Sequence, residues 1–269
     1  MSYTIADLQY LMSRLRDPET GCPWDLKQTF SSVVPHTLEE VYELVDAIEQ
    51  GDSEQIRQEL GDVLFQVIFY SQLAAESDDF SFADVVNDIV AKLLRRHPHV
   101  FPDGQLTSVR NADAPADAAI NARWEEIKQQ EREQKSQLSA MDDVPKALPA
   151  LTRAAKLQKR ASQAGFDWTE LSDVIAALRA EIDELDEAVA LADPEEIADE
   201  MGDVIFSAIN VARHLKLDAE AVTRGACRKF ERRFRFVEQR CRDTGYNGEK
   251  GQENSQLELF WQEAKATGL

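Results

Sequence analysis

The chain has 269 residues, enough for one large domain or two ordinary ones, and its 43% of hydrophobic residues is typical of a globular protein. A formal net charge of −20 argues against nucleic acid or an anionic membrane as the main partner. The sequence contains no bilayer-spanning apolar run and no signal-peptide pattern, and its three cysteines are widely spaced. We therefore expect a cytoplasmic protein that binds neither nucleic acid nor membranes.

The hydrophobic periodicity predicts helices nearly everywhere, and no series of segments shows the two-residue alternation of strands. A helix is predicted from Ile5, and Ser53 and Ser81 are predicted to cap later ones. Two segments rich in proline and turn residues, 101–115 and 136–149, read as linkers. The predicted helices cover residues 37–48, 53–75, 81–96, 116–135, 150–164, 170–191, 194–215, 219–241 and 256–266.

An internal repeat divides the sequence into two similar halves. Glu59-Leu60-Gly61-Asp62 in the first half parallels Glu200-Met201-Gly202-Asp203, which lies 141 residues further on. Other landmarks follow in the same order, which similarity between unrelated amphipathic helices does not explain. The repeat predicts an N-terminal module over 1–135, a linker over 136–149 and a C-terminal module over 150–269. The remaining landmark pairs are Gly21-Cys22-Pro23-Trp24-Asp25 with Gly165-Phe166-Asp167-Trp168, Glu40 and Glu43 with Glu181 and Glu184, Lys92 and Arg96 with Lys229 and Arg233, and Trp124 with Trp261.

Each half contains two pairs of acidic residues at helical spacing. Glu40 and Glu43 lie three residues apart on one predicted helix, and Glu59 and Asp62 lie three apart on the next. Because i and i+3 share a helix face and the connection is short, the four carboxylates are expected to converge between antiparallel helices. The second half predicts the same arrangement for Glu181, Glu184, Glu200 and Asp203.

These acidic groups are either an ordinary solvated surface or a metal site. Asp62 and Asp203 fall in segments that are apolar around most of the helix, so we expect both to be largely buried and to need a cation. Oxygen ligands alone favour Mg²⁺, with Mn²⁺ as a substitute. Gly61 and Gly202 are expected where two helices approach closely.

Basic and aromatic residues extend the pattern towards phosphate chemistry. Lys229 and Arg233 share a helix face, as do Lys92 and Arg96. Each pair could hold phosphate oxygens or be an ordinary pair of helix-surface cations, and its recurrence in both halves favours phosphate binding. Trp261 is expected either to stack on a base or to pack in the core. The same two roles are open to Trp168, for which packing in the core is favoured.

At these residues the sequence resembles the MazG family of all-α nucleoside triphosphate pyrophosphatases. The family pattern Glu-Glu-x-x-Glu, spacer, Glu-x-x-Asp begins at Glu39 and is complete in the first copy, and Arg95-Arg96-His97-Pro98-His99 also looks like tandem-module bacterial members. The resemblance covers essentially the whole chain. It implies an all-α fold of two four-helix-bundle-like modules, a homodimer, and Mg²⁺-dependent hydrolysis of NTPs and dNTPs to monophosphate and pyrophosphate in nucleotide-pool housecleaning.

The resemblance also implies roles for individual residues, with the C-terminal copy as the active one. Its metal ligands would be the four carboxylates of that copy. Lys229 and Arg233 would hold phosphates beside Trp261. The corresponding candidates of the first copy are Glu40, Glu43, Glu59 and Asp62 for metal, and Lys92, Arg96 and Trp124 for nucleotide. Apart from the resemblance, our mechanistic hypothesis is that a carboxylate not fully occupied by metal, Glu181 or Glu184, accepts the proton of the attacking water.

One residue of the second copy departs from the family pattern. Ala180 stands where the first copy has Glu39, and Asp199 is the candidate to replace it near the nucleotide. This leaves open whether one or both copies are active, and which base or sugar is preferred. The alternative to an enzyme is a non-catalytic helical protein that senses nucleotides and carries a structural metal, and a plain helical scaffold is a third possibility.

Overall fold

The chain folds into two compact units, Met1–Gln130 and Glu131–Leu269. The computed structural model describes residues 2–109, 139–246 and 255–269, together with residues 120, 123, 124, 126, 127 and 131. The predicted helix over 116–135 lies outside the described residues, except at those isolated positions, all of which are helical. The linker predicted over 136–149 stays a prediction, because the structure describes only 139–149 of it.

The described residues are helical in both units and contain no strand, so the predicted all-α fold is confirmed. None of the helices found there is both long enough and apolar enough to cross a membrane. The first unit contains α1 (Ile5–Leu15), a short 3-10 helix (Asp25–Lys27), α2 (Phe30–Gln50), α3 (Ser53–Glu76) and α4 (Phe82–Arg96). The second contains α5 (Ala150–Gln163), α6 (Leu171–Leu191), α7 (Pro194–His214), α8 (Ala219–Thr244) and α9 (Ser255–Ala266).

Helix α2 begins seven residues before the predicted start. Its first turn is closed by a capping box: the Ser32 amide donates to the Thr29 hydroxyl at 3.2 Å, and the Ser32 hydroxyl accepts from the Thr29 amide at 2.8 Å. Pro35 lies only in the second turn, where its missing N–H costs one backbone bond without ending the helix. At α3 the cap is Asp52 and not the predicted Ser53, whereas the predicted cap Ser81 of α4 is confirmed.

The first unit is organised around α3, which packs against α1, α2 and α4. Helices α2 and α3 are joined by Gly51, at φ 76°, and by the cap Asp52, so the chain reverses within two residues. Only a residue that tolerates the left-handed conformation allows such a short connection, which makes the two helices antiparallel. The core consists of the buried side chains of Met12, Val33, Ile68, Phe69 and Leu73.

The second unit is built in the same way around α7. The pair α6 and α7 is joined by Ala192, at φ 55°, and by the cap Asp193, while α5 packs on α7 and α9 on α8. The cap and the left-handed residue again reverse the chain within two positions. A core of Ala154, Ile209 and Ala219 joins α5, α7 and α8.

The central helices α3 and α7 are not buried on all sides. Leu60 is 53% exposed and Met201 is 45% exposed. A Cβ added at Gly61 or at Gly202 would meet no atom of the described residues within 4 Å, so the expectation of a close helix approach at these glycines is wrong within this part of the chain. The apolar periodicity of α3 and α7 indicates surface that is suited to burial, but it does not identify what packs against that surface.

Candidate metal and nucleotide site

Three of the four predicted carboxylates come together in each unit. In the second unit one oxygen from each of Glu181, Glu184 and Glu200 lies within 4.8 Å of the other two. The tight α6–α7 turn produces this group, because it sets the Glu-x-x-Glu face of α6 against α7. The first unit has the same arrangement between α2 and α3, formed by Glu40, Glu43 and Glu59.

The fourth predicted ligand of each copy lies outside these groups of three. Asp62 and Asp203 are both exposed, so the expectation that they are largely buried is wrong. Each is nevertheless near enough for its charge to raise the pKa of a neighbouring glutamate, Glu40 in the first unit and Glu200 in the second. Both therefore stay candidate ligands at the solvent side of their groups.

The carboxylate groups are electrostatically strained without a cation. Burial raises the pKa of Glu200, and the charges of Glu184, Asp203, Asp199 and Glu181 raise it further. In the first unit the pKa of Glu40 is raised by burial and then by Asp62 and the neighbouring glutamates. A like-charged carboxylate group of this kind is stabilised by anything that brings positive charge among its oxygens.

Two oxygen atoms of the second carboxylate group lack a strong hydrogen bond from the described residues and are suited to bind a metal ion. Oε2 of Glu200 is buried and has no hydrogen-bond partner among the described residues. Oε1 of Glu181 accepts a long hydrogen bond from the Ser207 hydroxyl, at 3.4 Å. A buried carboxylate oxygen without a partner is costly, and an all-oxygen set of ligands suits Mg²⁺ or Mn²⁺.

The predicted phosphate-binding residues of the second copy lie on the other helix pair, α8 and α9. The Arg233 guanidinium lies 6.0 Å from the Trp261 ring, and its Nε donates to the main-chain oxygen of Leu269 at 2.5 Å. Lys229 is exposed. Within the part of the chain that the structure describes, no hydrogen bond or ion pair joins Lys229 or Arg233 to the carboxylates.

In the first unit the corresponding basic residues lie at the end of α4, whereas the carboxylates lie on α2 and α3. Lys92 and Arg96 are half-buried there. The rings of Trp124 and His97 are 5.9 Å apart, and Trp124 is 36% exposed. Roles for these residues in nucleotide binding stay predictions.

The second copy departs from the family pattern at Ala180, which corresponds to Glu39 of the first copy. Both Glu39 and Asp199, the candidate replacement in the second copy, are exposed to solvent. Glu39 has a side chain that is 65% exposed and lies 3.9 Å from His36 Nδ1. Asp199 is exposed, and its charge contributes to the raised pKa of Glu200. Asp199 directly precedes Glu200 in sequence, and its role as a replacement for the glutamate missing at Ala180 stays a prediction.

A cavity of about 440 Å³ lies beside the second carboxylate group, and sequence reasoning did not find it. Trp168, which was expected in the core, is 44% exposed and lines this cavity. The buried amides Gln158 and Asn210 also line it. One signal was available: Gln158 lies on the same face of α5 as Leu151 and Ala154, where an amphipathic helix normally has apolar residues.

An ion pair fixes the loop that carries Trp168. The Asp167 carboxylate accepts hydrogen bonds from Arg213 Nη1 at 2.8 Å and Nη2 at 2.5 Å, and its Oδ1 lies 3.0 Å from His214 Nε2. The Arg213 guanidinium is the main reason why the pKa of Asp167 lies far below its usual range. This bidentate contact ties the loop between α5 and α6 to the end of α7.

Comparison with known sequences identifies similar domains in both halves. Residues 28–101 and residues 169–237 each match the family described as the MazG nucleotide pyrophosphohydrolase domain. The matched segments include all eight candidate metal ligands and the basic pairs on α4 and α8. They leave out Gln158 and Trp168, so the cavity lies partly outside the region that defines the family.

Similar proteins extend over nearly the whole chain. The chain is 48% identical over 257 residues to the nucleoside triphosphate pyrophosphohydrolase of Escherichia coli, covering 95% of this chain and 94% of that one. It is 39% identical over 259 residues to the nucleoside triphosphate pyrophosphohydrolase/pyrophosphatase MazG of Thermotoga maritima, covering 96% and 94%. An uncharacterized protein of Bacillus subtilis, YabN, is 38% identical over 96% of this chain and half of its own length.

Proposed function

Because the chain belongs to the MazG family of nucleotide pyrophosphohydrolases, we propose that it hydrolyses nucleoside triphosphates to monophosphate and pyrophosphate with Mg²⁺. The substrates include both ribo- and deoxyribonucleoside triphosphates, as housecleaning of the nucleotide pool requires. The observation that carries the proposal is the convergence of Glu181, Glu184 and Glu200, with Oε2 of Glu200 buried and unpaired among the described residues.

In this proposal the carboxylates of α6 and α7 hold the metal, with Asp203 completing the set from the solvent side. When bound, Mg²⁺ supplies the positive charge that offsets the phosphate oxygens and makes water more acidic. Glu181 or Glu184 accepts the proton of the attacking water at a carboxylate oxygen.

The basic residues of α8 bind the phosphate groups of the substrate in this proposal. Lys229 and Arg233 offset the charge of the phosphates, and the Trp261 ring, which already lies beside Arg233, borders the nucleotide. Asp199 stands in for the glutamate missing at Ala180. Because these groups lie on α8 and α9, the substrate must reach from one helix pair to the other.

We assign catalysis to the C-terminal copy because the two copies differ beside their carboxylates. In the second copy Ser207 and Asn210 line a cavity next to Glu181. In the first copy the positions 141 residues earlier are Gln66 and Phe69, both buried, and Phe69 is packed in the core. This difference supports a substrate-binding role for the second copy and a scaffolding or metal-binding role for the first.

Two further features of the protein belong to the proposal. We expect a homodimer, since the apolar side chains exposed on α3 and α7 offer surface that a second copy can bury. We place the protein in the cytoplasm, where its three unpaired cysteines stay reduced. Sedimentation equilibrium tests the dimer directly.

The decisive experiment measures pyrophosphate released from a panel of NTPs and dNTPs, with and without Mg²⁺. It compares the wild type with Glu200→Gln and Glu59→Gln, which change corresponding residues of the two carboxylate groups. Glu187→Gln, at an exposed residue of α6 outside the group, controls for the loss of one negative charge. We expect Glu200→Gln to lose activity by several orders of magnitude and Glu187→Gln to keep it.

Each other outcome has a definite meaning. Loss of activity only in Glu59→Gln would move catalysis to the first copy. Full activity in both glutamate variants would contradict the assignment of these carboxylates to the metal. Binding of triphosphates without pyrophosphate release by the wild type would favour the nucleotide-sensing alternative.

A further inference from the structure

A further cavity of the second unit lies between the start of α5 and α7, and we call it the basic cavity. Its volume is about 370 Å³, which lies within the range of small-molecule pockets. Because its apolar walls are mainly aliphatic, the cavity can bury a hydrocarbon chain but offers little surface for stacking on a ring. The apolar side chains that form these walls are Leu148, Leu151, Leu157, Ile205, Phe206 and Ile209.

Two cations line the basic cavity without an acidic partner. Lys146 and Arg153 take part in no ion pair among the described residues, and none of the described residues that line the cavity is acidic. The Nε atom of Arg153 is buried and has no hydrogen-bond acceptor there. A buried donor of a charged group is costly without an acceptor, so the cavity favours a ligand that brings negative charge.

The first turn of α5 adds to this local positive potential. Pro149 is the N-cap residue and supplies no side-chain hydrogen bond to the turn, and Ala150, the first helical residue, lines the cavity. The turn contains no acidic residue. Free amides at the start of a helix attract negative charge, so they act in the same direction as the two cations.

From these observations we infer that the basic cavity binds an aliphatic carboxylate of medium chain length. The carboxylate accepts hydrogen bonds from Arg153, whose guanidinium can offer two parallel N–H groups, and lies near Lys146. The hydrocarbon chain is buried along the aliphatic walls, which stabilises the complex in proportion to the apolar area removed from water. Binding of such an acid does not depend on the hydrolysis of triphosphates.

The basic cavity lies on a different face of α7 from the carboxylate group. Gly202 and Ile209, seven residues apart, line the cavity, whereas Glu200 and Ser207, also seven apart, lie towards Glu181. Positions seven apart share a helix face, and an offset of two residues turns the face by about half a turn. A bound acid therefore approaches α7 from the side away from the carboxylates.

The matched family region does not include the α5 wall of this cavity. The second match begins at residue 169, after the end of α5, so only the α7 residues of the lining fall inside it. The proposed binding of an aliphatic acid is therefore a property of this chain's second unit and does not follow from membership of the family.

The test compares octanoate with octanol and acetate in isothermal titration calorimetry on the full chain. Octanol has the hydrocarbon chain without the charge, and acetate has the carboxylate without the chain. Octanoate should bind about tenfold more tightly than octanol, because only octanoate supplies charged acceptors to Arg153. Acetate should bind more weakly than octanoate, because it buries almost no apolar surface.

Substitutions connect the binding to this cavity. Arg153→Gln should lower the affinity for octanoate by about tenfold and change that for octanol by less than about twofold. Arg179→Gln removes the same charge from an exposed residue of α6 and should leave both affinities unchanged. Ala150→Phe fills the mouth of the cavity and should abolish the binding of both ligands, whereas Ala176→Phe, at an exposed residue of α6, should not.

Equal affinities of the wild type for octanoate and octanol would overturn the inference, as would unchanged binding in folded Arg153→Gln. Should that variant not fold, Lys146→Gln replaces it at an exposed residue and should also weaken octanoate binding selectively. Absence of octanoate binding to the wild type would also overturn the inference. If Ala150→Phe then lowers the assembly mass in sedimentation equilibrium, a second copy of the chain covers the cavity instead.

Discussion

Asp167 connects the loop after α5 to the end of α7, and Asp167→Asn tests how much this connection stabilises the second unit. The carboxylate accepts two hydrogen bonds from Arg213 and lies beside His214, and its side chain is 21% exposed against 18% for Arg213. Asparagine has nearly the same shape but removes the charge and leaves a single oxygen to accept from Arg213.

The magnitude follows from the number and exposure of these bonds. A hydrogen bond to a charged group contributes roughly 1.5–3 kcal/mol, and partial exposure of both side chains reduces this through solvent screening. We expect Asp167→Asn to lower the free energy of unfolding by about 1–2 kcal/mol. For a unit of this size that corresponds to a fall in the thermal midpoint of roughly 2–8 °C.

The pH dependence of the effect has a definite sign. Because the folded-state pKa of Asp167 is lowered, its contribution is present above the unfolded pKa of about 3.9 and is lost as the pH falls through the lower folded value. The gap between wild type and variant should therefore close in acid, as the pH falls through the folded-state pKa of Asp167.

Thermal unfolding followed by circular dichroism at several pH values measures this gap. Asp186→Asn, at an exposed aspartate of α6, is the matched control and should leave the midpoint unchanged. Equal midpoints for Asp167→Asn and wild type at pH 7 would refute the reasoning. A gap that stays open in strong acid would mean that the charge of Asp167 does not supply the stabilisation.

Three further predictions concern the carboxylates, the turns that join the paired helices of each unit, and one core residue. Glu200→Gln should raise the thermal midpoint of the metal-free protein at pH 8, because the raised folded-state pKa of Glu200 means that its ionisation costs stability as the pH rises through that pKa. The variant should also be stabilised less by Mg²⁺ than the wild type in differential scanning fluorimetry, because one of the two carboxylate groups has lost a ligand. Ala192→Gly should raise the free energy of unfolding of the second unit by about 0.5–1 kcal/mol in urea, since Ala192 has the left-handed φ of 55° that glycine adopts more easily. By the same reasoning, Gly51→Ala should destabilise the corresponding turn of the first unit, where φ is 76°. Phe69→Ala should cost about 3–5 kcal/mol in the same assay, because Phe69 is 2% exposed in the first core, and a loss below 1 kcal/mol would contradict the packing described here.

The repeat, the helices and the pairing of carboxylates were predictable from sequence because they depend on local spacing. Glu181 and Glu184 share a face wherever their segment is helical. The short turn at Ala192 and Asp193 makes α6 and α7 lie antiparallel. The same reasoning gave Glu200 as the third member of the group.

The exposure of Asp203 and the cavity with its buried amides were decided only by tertiary structure. The apolar pattern around Asp203 shows that its helix has surface to bury, but burial depends on which helices pack against each side. The unpaired oxygen of Gln158 follows from a contact with the Phe206 carbonyl across 48 residues of chain. No local pattern encodes such a contact, because hydrogen-bond satisfaction is a property of the packed environment and not of the residue type.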